Sequence, residues 1–499
     1  MNNQHKPDTY PERQAIGMPR VLRAHQPDRE ARAFLRLTNL SMCLRAAEDY
    51  SLPILRQGWR LTALALGRRP EVGSVTEQLI NGPGGKIPVR IFKPDNTDTL
   101  RPAFLWFFGG GFIIGDLDTA DAICRSIALA ADCIVIAVGY RLAPEHNLAA
   151  GRADALAALK WVANHGAQAG IDTTRLAMGG DSAGGNLCAA VAQESLNSDG
   201  PALCLQVLVY PATELLEKFP SYAQNAFGRT MLTDHAVQWI ERTLAPSLAT
   251  LDLDDPWYSP RRNPDMRGLA PALIISAGFD PIRDDGLDYA ARLRADDVPV
   301  ELLHYGGQFH GFLNFDSVNG ASRDALQRIG AALKGAFAQL PAANRTIEIA
   351  DRAPRRPSRL CASAEELVST SLTTWTVTER WGTTLLRLLS PKASSAGRLL
   401  IKPWLAPALM LRGKAIAGLD RLAARQTWPA CGAEPDALET SPQVEGTFDL
   451  LLEPAASTTT ARPPRPPRTR RPRVEAAPAV RKPAAKGKAQ RSKEDDSAT

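Results

Sequence analysis

Between about residues 71 and 340, apolar runs of strand length alternate with helical patterns. No other feature of the chain narrows its folding options as much. The runs lie at 89–92, 103–108, 133–138, 176–178, 205–210, 272–277 and 300–304. Helical patterns at 121–131, 151–165, 186–193 and 287–295 fall between them. Such near-continuous apolar strands must be covered on both faces, which implies a mostly parallel sheet. Right-handed crossovers then put helices on both sides, giving a doubly wound α/β domain.

The flanks follow different rules. Residues 1–70 are polar at first, then show short apolar runs broken by charges, the pattern of two or three amphipathic helices. Periodicity weakens over 341–430, where candidate helices at 370–389 and 406–425 are separated by Pro391 and Pro403. Residues 431–499 end in low-complexity Pro/Arg-rich and Ala/Lys-rich stretches. Those stretches have almost no large apolar residue, and the tail is expected to be disordered, because burial cannot offset its chain entropy. Residues 461–499 hold twelve Lys/Arg against four Asp/Glu, a net of +8, while the whole 499-residue chain carries +6. Residues 1–460 are therefore close to neutral, and the basic character describes a tail, not a nucleic-acid-binding face. A solubilising tail is the plainer reading, and a nucleic-acid partner is not expected.

No apolar run reaches the roughly 18 residues of a spanning helix. The longest, 127–138, is short and interrupted by Asp132. The polar start shows no secretory signal. Seven widely spaced cysteines without a Cys-x-x-Cys pair argue against a disulfide framework or zinc site and suit a reducing cytoplasm.

The sharpest local signal is Gly180-Asp181-Ser182-Ala183-Gly184, a G-x-S-x-G pentapeptide between a strand-like run and a small-residue helical pattern. A strand–turn–helix of this kind holds a serine on a tight turn with its oxygen exposed. Glycines two before and two after are required because a Cβ there would collide across the turn. The helix N-terminus behind Ser182 favours developing negative charge.

Upstream, the apolar run 103–108 ends in Gly109-Gly110-Gly111. Bare backbone after a buried strand can approach a ligand and aim N–H donors at a tetrahedral oxyanion, where one donor is worth about 2.7–4 kcal/mol. The amides of Gly109 and Gly110, with Ala183 after the serine, are the expected oxyanion hole. The spacing does not fit a dinucleotide-binding G-x-G-x-x-G.

An activated serine needs a base and an acid that follow it in the chain. Of seven histidines, His235, His304 and His310 come after Ser182. His304 lies inside an alternating strand and reads as a core residue. His235, near a helix start, reads as a solvent-facing or capping residue. His310 follows a strand between glycines, where a base can reach the serine. Asp280 follows the 272–277 run closely and is the acid candidate. Asp284 and Asp285 read better as N-cap or helix-surface carboxylates. Ser182, His310 and Asp280 would then act as nucleophile, base and orienting acid in acyl transfer, with no cofactor and no metal.

The segments FFGGGF, VGYRLAPEH, GGDSAGGNL, SAGFDPIRDDG and FHGF, in this order, resemble the hormone-sensitive-lipase-like group of α/β hydrolases, the bacterial carboxylesterases. The resemblance spans about residues 70–340. It implies an α/β-hydrolase core over 71–340, an N-terminal helical cap within 1–70, and hydrolysis of short- to medium-chain carboxylic esters. It carries the triad over to Ser182, Asp280 and His310, and the oxyanion hole to Gly109, Gly110 and Ala183. Two positions depart from it. Phe108 stands where a histidine usually steadies the glycine loop, and Gly139 stands where an aspartate usually precedes Tyr140. Arg141 and Glu145 are retained and read as a structural charged turn. The 341–430 and 431–499 zones have no standard counterpart.

Two other readings belong to different classes. Hydrolase folds can become non-catalytic ligand-binding modules, although here every triad member is present. The 385–425 stretch mixes Leu, Ile and Trp with Lys and Arg, which would suit weak association with a lipid surface and a lipase-like role. A helix pair facing a partner is the plainer expectation for it.

Overall fold

The computed structural model describes residues 12–15, 17–42, 50–96, 99–226, 230–350 and 359–389. Every described residue belongs to the Met1–Ser441 part of the chain. The expected helix at 406–425 and the tail 431–499 lie outside the described residues.

Ten strands form one sheet: β1 (Glu12–Ala15), β2 (Ser74–Gly82), β3 (Gly85–Lys93), β4 (Arg101–Phe107), β5 (Ile134–Val138), β6 (Ile171–Asp181), β7 (Leu205–Val209), β8 (Ala272–Phe279), β9 (Val300–Phe309) and β10 (Arg345–Ile349). Their order is β1-β10-β9-β8-β7-β6-β4-β5-β3-β2. The run from β10 to β5 is parallel throughout, and β1, β2 and β3 pair antiparallel at the two edges. Every residue of β5 and β7 is buried, as two-sided coverage requires. The chain reverses direction across the sheet between β4 and β6, and in open α/β sheets the crevice beyond the strand ends at such a point is where ligands bind.

The covering helices include α3 (Leu117–Ala131), α4 (Leu148–His165), α5 (Ala183–Asn197), α8 (Arg283–Ala295) and α9 (Gly320–Phe337). α3 starts where expected of a capping box: Asp116 accepts from the Asp118 and Thr119 amides, and the Thr119 hydroxyl accepts from the Asp116 amide. Between β7 and β8 lie the short α6 (Pro220–Asn225) and α7 (Asp234–Leu248).

The amphipathic N-terminal runs form α1 (Arg29–Met42) and α2 (Leu52–Leu66). Phe34 of α1 stacks on Phe309 and Phe315, and the Trp59 ring of α2 meets Phe315 edge-on. Both helices therefore rest on the segments immediately before and after His310. Ahead of α1, residues 20–28 bind the far edge of the sheet. The amides of Arg20 and Val21 donate to the Glu348 carboxylate, Ala24 donates to the Gly306 carbonyl, and Asp28 to that of Gly307.

Three expectations need correction. The 176–178 run is the middle of the eleven-residue β6, which continues through Gly179 and Gly180 because Phe104 and Val207 on the flanking strands leave no room for a Cβ at Gly179. The sheet does not end near residue 340: β10 adds a parallel strand beside β9, with Thr346, Ile347, Glu348 and Ile349 buried. The candidate helix at 370–389 is part of a longer one, α10 (Arg359–Leu389), which packs on α1 and α2. Its hydroxyl-rich face defeats a hydrophobic-period reading.

Candidate active site

Ser182 sits on the turn between β6 and α5, with φ 55° and ψ −119°. A non-glycine residue rarely holds a left-handed φ, and the strain persists only where the surroundings enforce it. Here the enforcement is steric. A Cβ on Gly180 would strike the Gly184 backbone, and one on Gly184 would strike the Phe107 carbonyl. The turn closes only with glycine at both places, and the Ser182 amide is pinned to the Val209 carbonyl at 2.9 Å.

The His310 ring nitrogens bridge two groups far away in sequence. Nε2 lies 2.9 Å from the Ser182 hydroxyl and Nδ1 lies 2.8 Å from Asp280 Oδ2. A carboxylate can only accept, so Nδ1–H donates to Asp280 and Nε2 is left to accept the serine proton. Asp280 is fully buried, and its other oxygen accepts from the Ile282 amide at 2.9 Å. The Tyr210 ring packs against the imidazole, with centroids 4.8 Å apart. Gly311, at φ 84°, turns the chain sharply after His310 into a 3₁₀ turn over Phe312–Phe315.

The other candidates fall elsewhere. His304 is buried in β9 between the Ser276 hydroxyl and the Leu22 carbonyl. His235 is exposed in the first turn of α7, which is capped by Thr233. Asp284 and Asp285 are not surface carboxylates. Asp284 pairs with buried Arg283 and accepts from the Ser221 amide, and Asp285 accepts from the Glu214 amide. Burial raises the Asp285 carboxyl well above its ordinary range. The loop between β7 and α6 packs over the start of α8 and encloses both.

The glycine loop corrects the donor set by one residue. The Gly109 N–H donates to Asp181 Oδ1 at 2.9 Å and is already engaged. Among the described residues the amides of Gly110 and Gly111 have no such acceptor. Their φ values are 125° and 62°, and at Gly110 a Cβ would meet the Ile114 carbonyl. The Ala183 N–H, first in α5, has no partner within its helix. Three identical glycines carry no sign in sequence of which amide is taken. The β4–β6 register decides it, setting Phe107 opposite Gly180 and so Gly109 beside Asp181.

Asp181 itself escaped the sequence reading. Burial pushes its carboxyl up to about 6, partly offset by the Gly109 amide and by attraction to His310. Phe108 stacks on Tyr140 at 4.6 Å, and the Tyr140 hydroxyl donates to the Phe108 carbonyl at 2.6 Å. An aromatic pair thus holds the start of the glycine loop. Arg141 makes paired bonds to Asp154, and Glu145 pairs with Arg56 of α2, so the charged turn ties the cap to the body.

Among the described residues no group of three or more His, Cys, Asp or Glu is placed to hold a metal ion. Nor is any described helix long and apolar enough to cross a membrane.

A family model for the alpha/beta hydrolase fold matches residues 104–314. Esterase LipI of Mycobacterium tuberculosis is 42% identical over 258 residues, which cover 51% of this chain and 79% of the esterase. Ethyl acetate hydrolase of Pseudomonas putida is 33% identical over 283 residues, 56% of this chain and 88% of that protein. Among solved structures, an ester hydrolase from the metagenome of Lake Arreo superposes with a TM-score of 0.59 at 31% identity, covering 62% of this chain and 98% of its own. With most of each relative matched, and the motifs in the order that the resemblance required, the chain belongs to the hormone-sensitive-lipase-like group of the α/β-hydrolase family.

Proposed function

We propose that the chain is a serine carboxylesterase acting on short- to medium-chain esters of small molecules, with Ser182, His310 and Asp280 as its triad. The observation that carries this reading is the unbroken hydrogen-bonded line from Asp280 through His310 to Ser182, drawn from three loops at the strand ends. The names of the relatives, an esterase and an ethyl acetate hydrolase, favour esters over other acyl compounds.

The chemistry follows from the geometry. Ser182 Oγ attacks the ester carbonyl as His310 Nε2 takes its proton. Asp280 holds the ring in the tautomer that leaves Nε2 free and stabilises the imidazolium. The oxyanion meets the amides of Gly110, Gly111 and Ala183. Collapse expels the alcohol, which receives the proton from His310. Water, deprotonated by the same imidazole, then attacks the acyl-serine and releases the acid.

The same reading assigns 71–340 to the catalytic body, whose sheet β10 and β1 extend at one edge. α1 and α2 form the cap, held through Phe34 and Trp59 on Phe309 and Phe315, which lie on either side of His310 in the chain. A reducing cytoplasm belongs to it too, since Cys124, Cys133 and Cys188 are buried free thiols. The test is hydrolysis of a p-nitrophenyl ester series of graded acyl length. Ser182→Ala is expected to lower kcat by roughly 10⁴–10⁶-fold with the fold retained. Undiminished turnover by that variant would overturn the assignment.

A further inference from the structure

The sheet loses its regularity just where the acid of the triad leaves it. Along β8 and β9 the register runs from Ala272 opposite Val300 to Ala277 opposite Tyr305, then jumps to Phe279 opposite Phe309. Gly278 falls inside the jump, two residues before Asp280. An irregular ladder does not by itself fix the residue that follows it, and the carbonyls beside the break need donors from elsewhere. Asn225, the last residue of α6, supplies them. It is 1% exposed, and its side-chain amide donates to the Gly278 carbonyl at 3.2 Å and to the Asp280 carbonyl at 2.9 Å. The Asn225 nitrogen is thus engaged by the acid loop, which leaves Oδ1 to accept from another group.

That group comes from far upstream. Arg23 Nη1 donates to Asn225 Oδ1 at 3.1 Å and to the Gln224 carbonyl at 2.9 Å. The Arg23 guanidinium also lies 5.5 Å from the centroid of the Phe279 ring, the residue directly before Asp280. Further along the same segment, Asp28 grips the strand that carries the base. Its carboxylate accepts from Gln308 Nε2 at 2.6 Å, and Gln308 Oε1 accepts from Asn319 at 2.7 Å. A Cβ at Gly307 would strike the Asp28 carboxylate, so the segment lies directly on the backbone leading to His310. Residues 23–28 therefore touch both of the loops that bring partners to Ser182.

We propose that Arg23, acting through Asn225, is a positioning residue for Asp280. Asp28 anchors the segment to the His310 strand, and Arg23 and Asn225 hold the acid loop against that anchor. The carboxylate is thereby set at a fixed place relative to the imidazole that it must meet. The Asp280–His310 bond at 2.8 Å selects the tautomer in which Nε2 can take the serine proton. Loosening the acid therefore slows the chemistry without weakening substrate binding. The role assigned to Asp280 rests on the serine-esterase reading, and Arg23 and Asn225 extend it to residues outside the triad motifs.

The experiment uses three variants of the full chain. Arg23→Met keeps an aliphatic stem on Phe279 and removes the donors, Arg23→Lys keeps a cation with N–H donors, and Asn225→Leu keeps the bulk of the buried amide without its hydrogen bonds. On a soluble short-chain ester, kcat should fall about threefold to tenfold in Arg23→Met and about tenfold to a hundredfold in Asn225→Leu, with KM little changed. Arg23→Lys should recover most of the loss. The second readout is the deshielded Nδ1 proton of His310 in the 1H NMR spectrum, which reports the bond to Asp280 directly. It should move upfield or exchange faster in Arg23→Met and stay in place in Arg23→Lys. Arg23→Met decides the matter, because Arg23 is exposed and its replacement leaves the core packed. Native kcat and an unmoved proton in that variant would overturn the proposal. So would a kcat loss with an unmoved proton, because Arg23 would then act elsewhere. Absence of turnover in the unmodified chain would instead end the esterase reading, and the proton would still report whether Arg23 supports the Asp280–His310 bond.

Discussion

Asp181 precedes the nucleophile, and its side chain works on a different loop. By accepting from Gly109, it fixes the first glycine of the triplet so that the next two amides keep their direction. Asp181→Ala leaves that buried N–H without a partner, at a cost of about 1–3 kcal/mol. The expected kinetic signature is a kcat loss between about tenfold and a hundredfold with KM little changed, because the donors act on the transition state. Asp181→Asn keeps an acceptor in place and should recover most of the rate. Equal damage from both variants, measured by steady-state kinetics on a short-chain ester, would remove Asp181 from this positioning role. Phe108 works beside it through its stack on Tyr140, an aromatic grip where the related group usually relies on a histidine.

The β6–turn–α5 unit is the element on which the site rests, and its tolerance is set by backbone crowding. Gly184 lies against the Phe107 carbonyl of β4, so strand and helix approach without a side chain between them. Gly184→Ala must push the two apart. Overpacking of this kind costs about 1–3 kcal/mol or more, and it also turns Ser182 away from His310. Thermal unfolding should show a lowered midpoint, and ester hydrolysis should fall together with it. A variant of native stability and rate would show that the turn has slack that the structure does not display. This element was legible in the sequence because glycine spacing, strand and helix all agreed. β10 and α10 were not. A five-residue strand inside a weakly periodic zone has no signature of its own, and α10 buries threonine where a pattern reading looks for leucine.

Across the described residues, segments far apart in the chain are fastened to one another beside the sheet. Residues 20–28 bind β9 and β10, and α10 returns to pack on α1 and α2. His304 is one fastening of this arrangement, holding the Leu22 carbonyl through Nε2 at 3.0 Å while the Ser276 hydroxyl meets Nδ1 at 2.8 Å. Burial, with the nearby Arg283 charge, lowers its pKa to about 3 from the ordinary 6.5. The unfolded chain therefore takes up a proton below about pH 6.5 that the folded chain refuses until about pH 3, and stability falls as pH drops through that window. Asp181 and Asp316, both raised to about 6 by burial, pull the other way between about pH 6 and pH 4. The His304 contribution is isolated by difference. The stability advantage of the unmodified chain over His304→Gln should shrink by about 3 kcal/mol between about pH 7 and pH 4, read from denaturant unfolding at each pH. A gap independent of pH would show that His304 is not held neutral.

Local chemistry that depends on neighbours in the chain was written in the residues themselves. The alternating runs require a covered parallel sheet, and G-D-S-A-G between strand and helix requires a sharp turn with a serine at its tip. His310 and Asp280 could be picked out because each directly follows a strand. Contacts across the sheet had no such local trace. Only the strand register set Gly109 beside Asp181 and left the Gly110 and Gly111 amides without an acceptor among the described residues. Only packing buried Asp284 and Asp285, added β10 to the sheet and laid α10 on the cap. Backbone hydrogen bonds and side-chain burial between distant segments are properties of their meeting, and a run of residues cannot announce which of its amides or faces will already be engaged when the rest of the chain arrives.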